Sequence, residues 1–529
     1  MTRKRRRVLA LTAACATAVI ALIVVAFVSA QDGKKRGGAP PIYFPYPPGA
    51  IPPDLQSEID RVNREVDSIE REALAQWRAL ASNSGTAMRP VEILGKLELF
   101  DKNLSVNKNQ ACSFCHMPYA GFTGPIPSVN ATTVAYPGSV HFRFGKRKPQ
   151  AYTYSPWYPP LDYNASQQDF YGGNFWDLRA TGSLLQSADA EQAQGPPHDT
   201  QEMGLPDPAC LIYRLSQSAY RPLFEAVWGA QAFDIAWPRD AEEVCRTPGG
   251  AAVFAGNATP LRLTKAHRGR ANAAYGQYAL SITAYERSSD ISPFSSKFDA
   301  VLSGAGTLSS DEMAGWRLFR GKALCNTCHL DGTDNNTKPV GAAAGKAPLF
   351  TDFTSSNLGV PRNTQNPFYS QRTPDPFGFT PNPAGSAFID LGVGGFLRGL
   401  SGTNPNPAWV PLAPRFDGKM QVSTLRNVDM RPCPSFVKAY MHNGYLKSLK
   451  EVVHFYNTRD TLPRCAPGAP GEKATCWPPP EVPSNVDTTV GRLGLSDSEE
   501  DQIVAFLKTL TDGYTKPYTD FNTYTGSCR

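Results

Sequence analysis

Two copies of one five-residue unit constrain this chain more than any other feature. Cys112-Ser113-Phe114-Cys115-His116 and Cys325-Asn326-Thr327-Cys328-His329 both read Cys-x-x-Cys-His. In that unit two thiols can add to the vinyl groups of a haem, and the adjacent imidazole is placed to ligate its iron. A lone copy could equally be a zinc or redox Cys-x-x-Cys. Two copies, each after a Leu-Phe pair (Leu99-Phe100 and Leu318-Phe319), point to two covalently bound haems c. His116 and His329 are then the ligands of the first and second iron.

The motifs lie 213 residues apart, so each can occupy its own cytochrome-type lobe. The expected fold is mainly α: two cytochrome c-like haem domains with long irregular loops, as 47 prolines and 44 glycines suggest. The chain divides into a signal peptide or anchor (1–36), a Pro-rich spacer and amphipathic helix (37–90), an N-terminal haem domain (91–295) and a C-terminal haem domain (296–529). Pro, Ser and Gly cluster at Ser289–Ser309, which reads as a linker. Gln277–Arg287 before it reads as helix, and Leu308-Ser309-Ser310-Asp311-Glu312 as a capped helix start.

Arg3-Lys4-Arg5-Arg6-Arg7 precedes an apolar run from Val8 to Val28, and Val28-Ser29-Ala30 resembles a signal-peptidase site. The 21-residue run is also long enough to span a bilayer, so cleavage and membrane anchoring through residues 8–28 both remain open. Either way the body is exported, which predicts a periplasmic protein. Residues 1–36 carry eight Lys/Arg and one Asp; the rest carries 45 basic and 46 acidic residues. A near-neutral body excludes the clustered basic face of a nucleic-acid binder.

Eleven cysteines are present. Cys15 lies in the apolar run and four belong to the haem motifs. The remaining six suggest disulfides in an exported protein, and sequence proximity favours Cys210–Cys245 and Cys465–Cys476, leaving Cys433 with Cys528. Leu55, Ile59, Val62, Val66, Ile69, Ala73 and Trp77 follow helical spacing. That stripe reads as a helix packed on the first lobe or, alternatively, as an oligomerisation helix of a homodimer.

Further motifs surround the haem units: Phe175-Trp176-Asp177-Leu178-Arg179-Ala180, Glu191-Gln192-Ala193-Gln194-Gly195-Pro196, Gln201-Glu202-Met203, Ser423-Thr424-Leu425-Arg426-Asn427-Val428 and Tyr440-Met441-His442-Asn443-Gly444. Over roughly residues 91–512 the chain resembles the bacterial diheme cytochrome c peroxidase family, which includes MauG. The resemblance implies that hydrogen peroxide reacts at the N-terminal haem while the C-terminal haem stores or relays electrons. Glu202 would be the general acid–base, Gln192 would orient the peroxide, and Trp176 would lie between the haems. Leu178 departs from the family, which often has glycine there. In the peroxidases a Met fourteen residues after the His of Tyr-x-His-x-Gly is the distal ligand of the second iron. Here that position is Tyr456, and MauG also carries Tyr; Met441 and Met430 are rival ligands. A phenolic oxygen favours higher iron oxidation states than a thioether does.

Of the seven histidines, His141 is the one available as a distal ligand to the first iron, against an open site as in MauG. His198 is read as a loop residue or part of the pocket mouth, His267 and His454 as surface residues, and His442 as a propionate contact. The resemblance also leaves room for one calcium ion bridging the lobes, held mostly by backbone carbonyls and water. The family's Thr-x-Pro before the Tyr-x-His motif is replaced by Val437-Lys438-Ala439. The leading expectation is a peroxidase fed by a small redox protein. The alternatives are a MauG-like oxidase of a partner protein and a non-catalytic diheme carrier.

Overall fold

The computed structural model describes residues 53–81, 88–249, 260–333 and 347–515. The export segment, Cys15, residues 37–52 and Cys528 lie outside them. Among the described residues no helix is long and apolar enough to cross a membrane.

Seven of its helices position the sites: α1 (Pro53–Ala81), α2 (Pro90–Phe100), α3 (Ala188–Ala193), α4 (Lys265–Glu286), α5 (Ser310–Arg320), α6 (Leu449–Thr458) and α7 (Asp497–Lys508). Strand is sparse. One hairpin pairs β1 (Asp162–Asn164) with β2 (Asp169–Tyr171), Asp162 opposite Tyr171, and β3 (Ser355–Ser356) pairs antiparallel with β4 (Met420–Gln421). Shorter helices and long loops make up the other described residues, in keeping with the proline and glycine content.

Each lobe is built on one helix crossing, and each crossing turns on a glycine. In the first, α2 meets α4 so closely that a Cβ on Gly95 would run into the Ser281 carbonyl. In the second, α5 meets α7, and a Cβ on Gly315 would run into the Gln502 carbonyl. These two glycines stand a few residues before Leu99-Phe100 and Leu318-Phe319, whose phenylalanines are buried at 0% and 1% exposure. The Leu-Phe lead-in therefore marks the inner end of the same crossing in both lobes.

The first core runs from Leu55 to Ile291 and also takes in Met430 and Phe436 from the C-terminal half. The second runs from Phe298 to Leu510. On α1, Leu55, Ile59, Val62, Val66 and Ala73 are buried in the first core, with Ile69 and Trp77 packed against it. Tyr119 anchors the helix by donating its hydroxyl to Glu65 (2.8 Å). The apolar stripe is thus covered within the chain, in keeping with a helix packed on the first lobe.

Ser289–Ser309 differs from the linker its composition suggested. Ile291, Ser292, Ser295 and Ser296 are buried, and a short helix, Lys297–Leu302, forms inside the segment behind a Ser296 capping box. Ser292 accepts from the Tyr154 amide, and the Ser295 amide donates to Asp512 (2.8 Å). Small hydroxyl residues read as exposed chain until partners distant in sequence satisfy them. The expected helix start is found: Ser309 caps α5 in a capping box with Glu312. Cys210–Cys245 and Cys465–Cys476 are paired as expected.

Buried charges tie the lobes together. Arg147 bridges Asp177 (2.8 Å) and Asp390 (2.7 Å), and Arg143 pairs with Asp375 (2.6 Å).

Candidate functional site

Both Cys-x-x-Cys-His units open onto internal cavities. The first cavity is lined by Cys112, Cys115 and His116, the second by Cys325, Cys328 and His329. Each unit folds as a single 3-10 turn, Cys112–Phe114 and Cys325–Thr327, which brings the second cysteine and the histidine round beside the first. All four cysteines are free of disulfides.

The two histidines are oriented alike. His116 Nδ1 lies 3.2 Å from the Phe122 carbonyl, and His329 Nδ1 lies 2.8 Å from that of Phe350. A ring N–H donated to a carbonyl leaves Nε2 as the free lone pair, the arrangement that orients a metal-ligating imidazole. Burial lowers both rings to a pKa of about 4, so they are neutral, as a ligand must be. Phe122 and Phe350 both sit at positive φ, 59° and 53°, which turns their carbonyls toward the rings. This device is invisible in sequence because the two phenylalanines follow their histidines at unlike spacings, 6 and 21 residues. Thiol pairs, a neutral imidazole with a fixed tautomer, and an adjoining cavity in each lobe suit a c-type haem.

Gln192, Glu202 and Trp176 all line the first cavity. Gln192 is on α3, whose N-cap is Ser187. Glu202 sits in a tight loop in which the Met203 amide donates to Pro196 (3.1 Å) and the Gly204 amide to Asp199 (2.9 Å). The Ser139 amide donates to the Glu202 carbonyl (2.7 Å), fixing that loop on the segment after the first motif. Burial pushes the Glu202 carboxyl up to about 8, Asp199 adds to the rise, and Arg179 opposes it. A carboxyl that titrates near neutrality can both take and return a proton.

Trp176 also lines the second cavity, so its indole stands in the wall between the two. Its Nε1 donates to the Lys148 carbonyl (3.0 Å), and its own carbonyl accepts from the Gln421 amide (2.8 Å). Leu178, where the family often has glycine, adopts φ 62°. That left-handed backbone is one glycine enters freely and leucine only at a cost.

Tyr456, on α6, lines the second cavity with Met441 and Met420, whereas Met430 lies in the first core. Burial and the neighbouring Cys325 and Cys328 raise the Tyr456 phenol. His442 lines the same cavity. His141 is not among the residues lining the first; its Nε2 lies 3.0 Å from the Asn109 amide. His198 is exposed at the end of a short helix. His454 differs from a plain surface residue, since Nδ1 meets Glu500 (3.0 Å) and Nε2 the Ala474 carbonyl (3.2 Å).

Some cavity residues escaped the sequence reading. Glu286, at the end of α4, lines the first cavity, and burial together with Asp189 holds its carboxyl well above the usual range. Lys148 lines both cavities. These residues come from separate chain segments, so no local motif announces them.

The comparisons with known proteins converge with this geometry. Residues 91–307 match the family model described as di-haem cytochrome c peroxidase. Over these residues the chain is similar to the di-haem cytochrome c peroxidases. It is 28% identical over 456 residues to methylamine utilization protein MauG of Paracoccus denitrificans, covering 84% of this chain and 96% of that one. It is 24% identical over 509 residues to cytochrome-c peroxidase IdrP1 of Denitromonas iodatirespirans, covering 94% and 92%. Its fold is similar to the crystal structure of the diheme peroxidase BthA from Burkholderia thailandensis, with a TM-score of 0.56, 23% identity and coverage of 81% and 88%. The likeness to di-haem proteins implies two haem groups.

Proposed function

We propose that this protein is a periplasmic diheme c-type peroxidase. It reduces hydrogen peroxide at the N-terminal cavity with electrons relayed from the C-terminal one. The observation that carries the reading is that Glu202 and Gln192 line the same cavity as Cys112, Cys115 and His116. An electron carrier has no use for a buried carboxyl that titrates near 8 beside its haem.

Bound through Cys112 and Cys115 in one lobe and Cys325 and Cys328 in the other, haem supplies the redox chemistry. The chain supplies the proton handling. The Glu202 carboxylate takes the proton from the near oxygen of peroxide and returns it to the departing oxygen. The Gln192 amide orients the peroxide by hydrogen bonding. With two electrons and two protons, hydrogen peroxide leaves as two waters. Trp176, in the shared wall, gives those electrons an aromatic route from the second cavity.

The second reading is a MauG-like oxidase that draws electrons from a partner protein. Tyr456 favours it, because this phenol lines the second cavity and, as a ligand to a haem iron held there, would suit the storage of oxidising equivalents better than a thioether. Steady-state assay with peroxide and a reduced small c-type cytochrome separates the two. Rapid peroxide-dependent cytochrome oxidation supports the peroxidase. Peroxide consumption without it, accompanied by oxidative modification of a co-purifying protein, supports the oxidase. Inertness to peroxide with both haems present would return the chain to electron carriage.

A further inference from the structure

Lys438 is 4% exposed and lies where the two lobes meet. Its Nζ donates to the carbonyls of Asn427 (3.1 Å) and Met430 (3.0 Å). The loop following the first haem motif lies directly over it: a Cβ on Gly121 would strike the Lys438 amino group, with the same two carbonyls 3.0 Å away. Beside it, Asn130 of the first lobe donates to the Val437 carbonyl (3.0 Å). Lys447, from the second lobe, donates in the same manner to the first-lobe carbonyls of Asn130 (2.8 Å) and Thr132 (3.1 Å). The joint is therefore built of backbone carbonyls from both lobes, satisfied by lysine amino groups.

A bridging calcium ion held by carbonyls would need such oxygens. Calcium requires six to eight oxygen ligands at about 2.3–2.6 Å. Here two carbonyls are already engaged by Lys438, which occupies the middle of the tripeptide that replaces Thr-x-Pro. Among the described residues no carboxylate forms an ion pair with Lys438, and Asp429, whose charge acts on it, is engaged by Arg431. Burial and the adjacent Lys148 already disfavour one positive charge at this point, and a divalent ion would meet the same penalty with twice the charge. The residues present do not fit the ion.

We propose that the amino group of Lys438, bonded to two carbonyls of its own lobe beneath the Gly121 loop of the other, occupies the interlobe position expected of calcium in place of a metal. This assignment stands apart from the peroxidase reading, because its readouts are metal content and unfolding. The holoprotein is purified from calcium-containing buffer, desalted, and measured by emission spectroscopy and by thermal melting with EGTA or added calcium chloride. Calcium far below one per chain, and a melting temperature unmoved by either addition, is the expected result. Lys438→Met should melt below the wild type, and calcium should not restore it. About one calcium per chain whose removal by EGTA lowers the wild-type melting temperature would overturn the proposal. So would a Lys438→Met protein that melts at the wild-type temperature. Should that variant fail to accumulate, the calcium content and chelator response of the wild type decide.

Discussion

The indole of Trp176 and the imidazole of His442 meet edge to face, with ring centroids 6.4 Å apart. Trp176 faces both cavities and His442 the second, so the pair forms the aromatic part of the partition between them. Trp176→Leu keeps an apolar side chain but removes the π-system and the hydrogen bond to Lys148. Electron transfer from the second haem to the first should slow at least about tenfold, equivalent to about 1.4 kcal/mol of barrier. Stopped-flow spectroscopy of the half-reduced protein with peroxide measures this. An unchanged rate would leave Trp176 a packing residue.

The role proposed for Glu202 predicts a pH-dependent peroxide turnover. Its carboxyl titrates near 8, so the base form is the minority at pH 7 and grows as pH rises. The apparent second-order rate with peroxide should climb through pH 7–9. Glu202→Gln should lower it by about 10²–10⁴-fold, the usual size of a general acid–base contribution, and flatten the profile. A pH–rate series on both proteins, with haem content confirmed by pyridine haemochrome, tests the assignment.

Tyr456→Met exchanges a phenol for a thioether at the second cavity. The midpoint potential of the second haem should rise, and the near-infrared charge-transfer band of His/Met ligation should appear in the ferric variant. If the wild-type ferric protein already shows that band, Met441 or Met420 is the ligand in place of Tyr456.

Arg147 holds Asp177 and Asp390 far below the usual carboxylate range. Carboxyls depressed in the folded state stabilise it fully above their unfolded pKa of about 3.9, and that stability drains away as pH falls toward their folded values. Between pH 5 and 8 this triad should contribute a constant amount. Asp390→Asn leaves Arg147 with one fewer buried partner and should cost about 3–5 kcal/mol over that whole range. Denaturant melts of both proteins at several pH values read the difference, and a cost below 1 kcal/mol at neutral pH would contradict it.

Where a role depends on residues close in sequence, it was legible before any coordinates. The haem units are five residues long, and the Gln192 and Glu202 motifs lie close together in the chain. The stripe from Leu55 to Ala73 needed only helical period, and burial follows it closely. What could not be read depends on meetings across the chain. Lys148 reaches both cavities, Glu286 finds Asp189 from the far end of α4, and Phe350 supplies His329 with a carbonyl from 21 residues further along the chain. The serines of 289–309 misled for the same reason: their buried state comes from Tyr154 and Asp512, which lie far from them in sequence.

Met430 and Phe436 belong by sequence to the C-terminal half and by packing to the N-terminal core. The two lobes are therefore not interchangeable modules joined by a tether. A chain divided at Ser289–Ser309 would leave the first core without two of its own side chains and Lys438 without the loop it sits beneath. The two lobes must fold as one object, and the wall between their cavities is one that neither half could build alone.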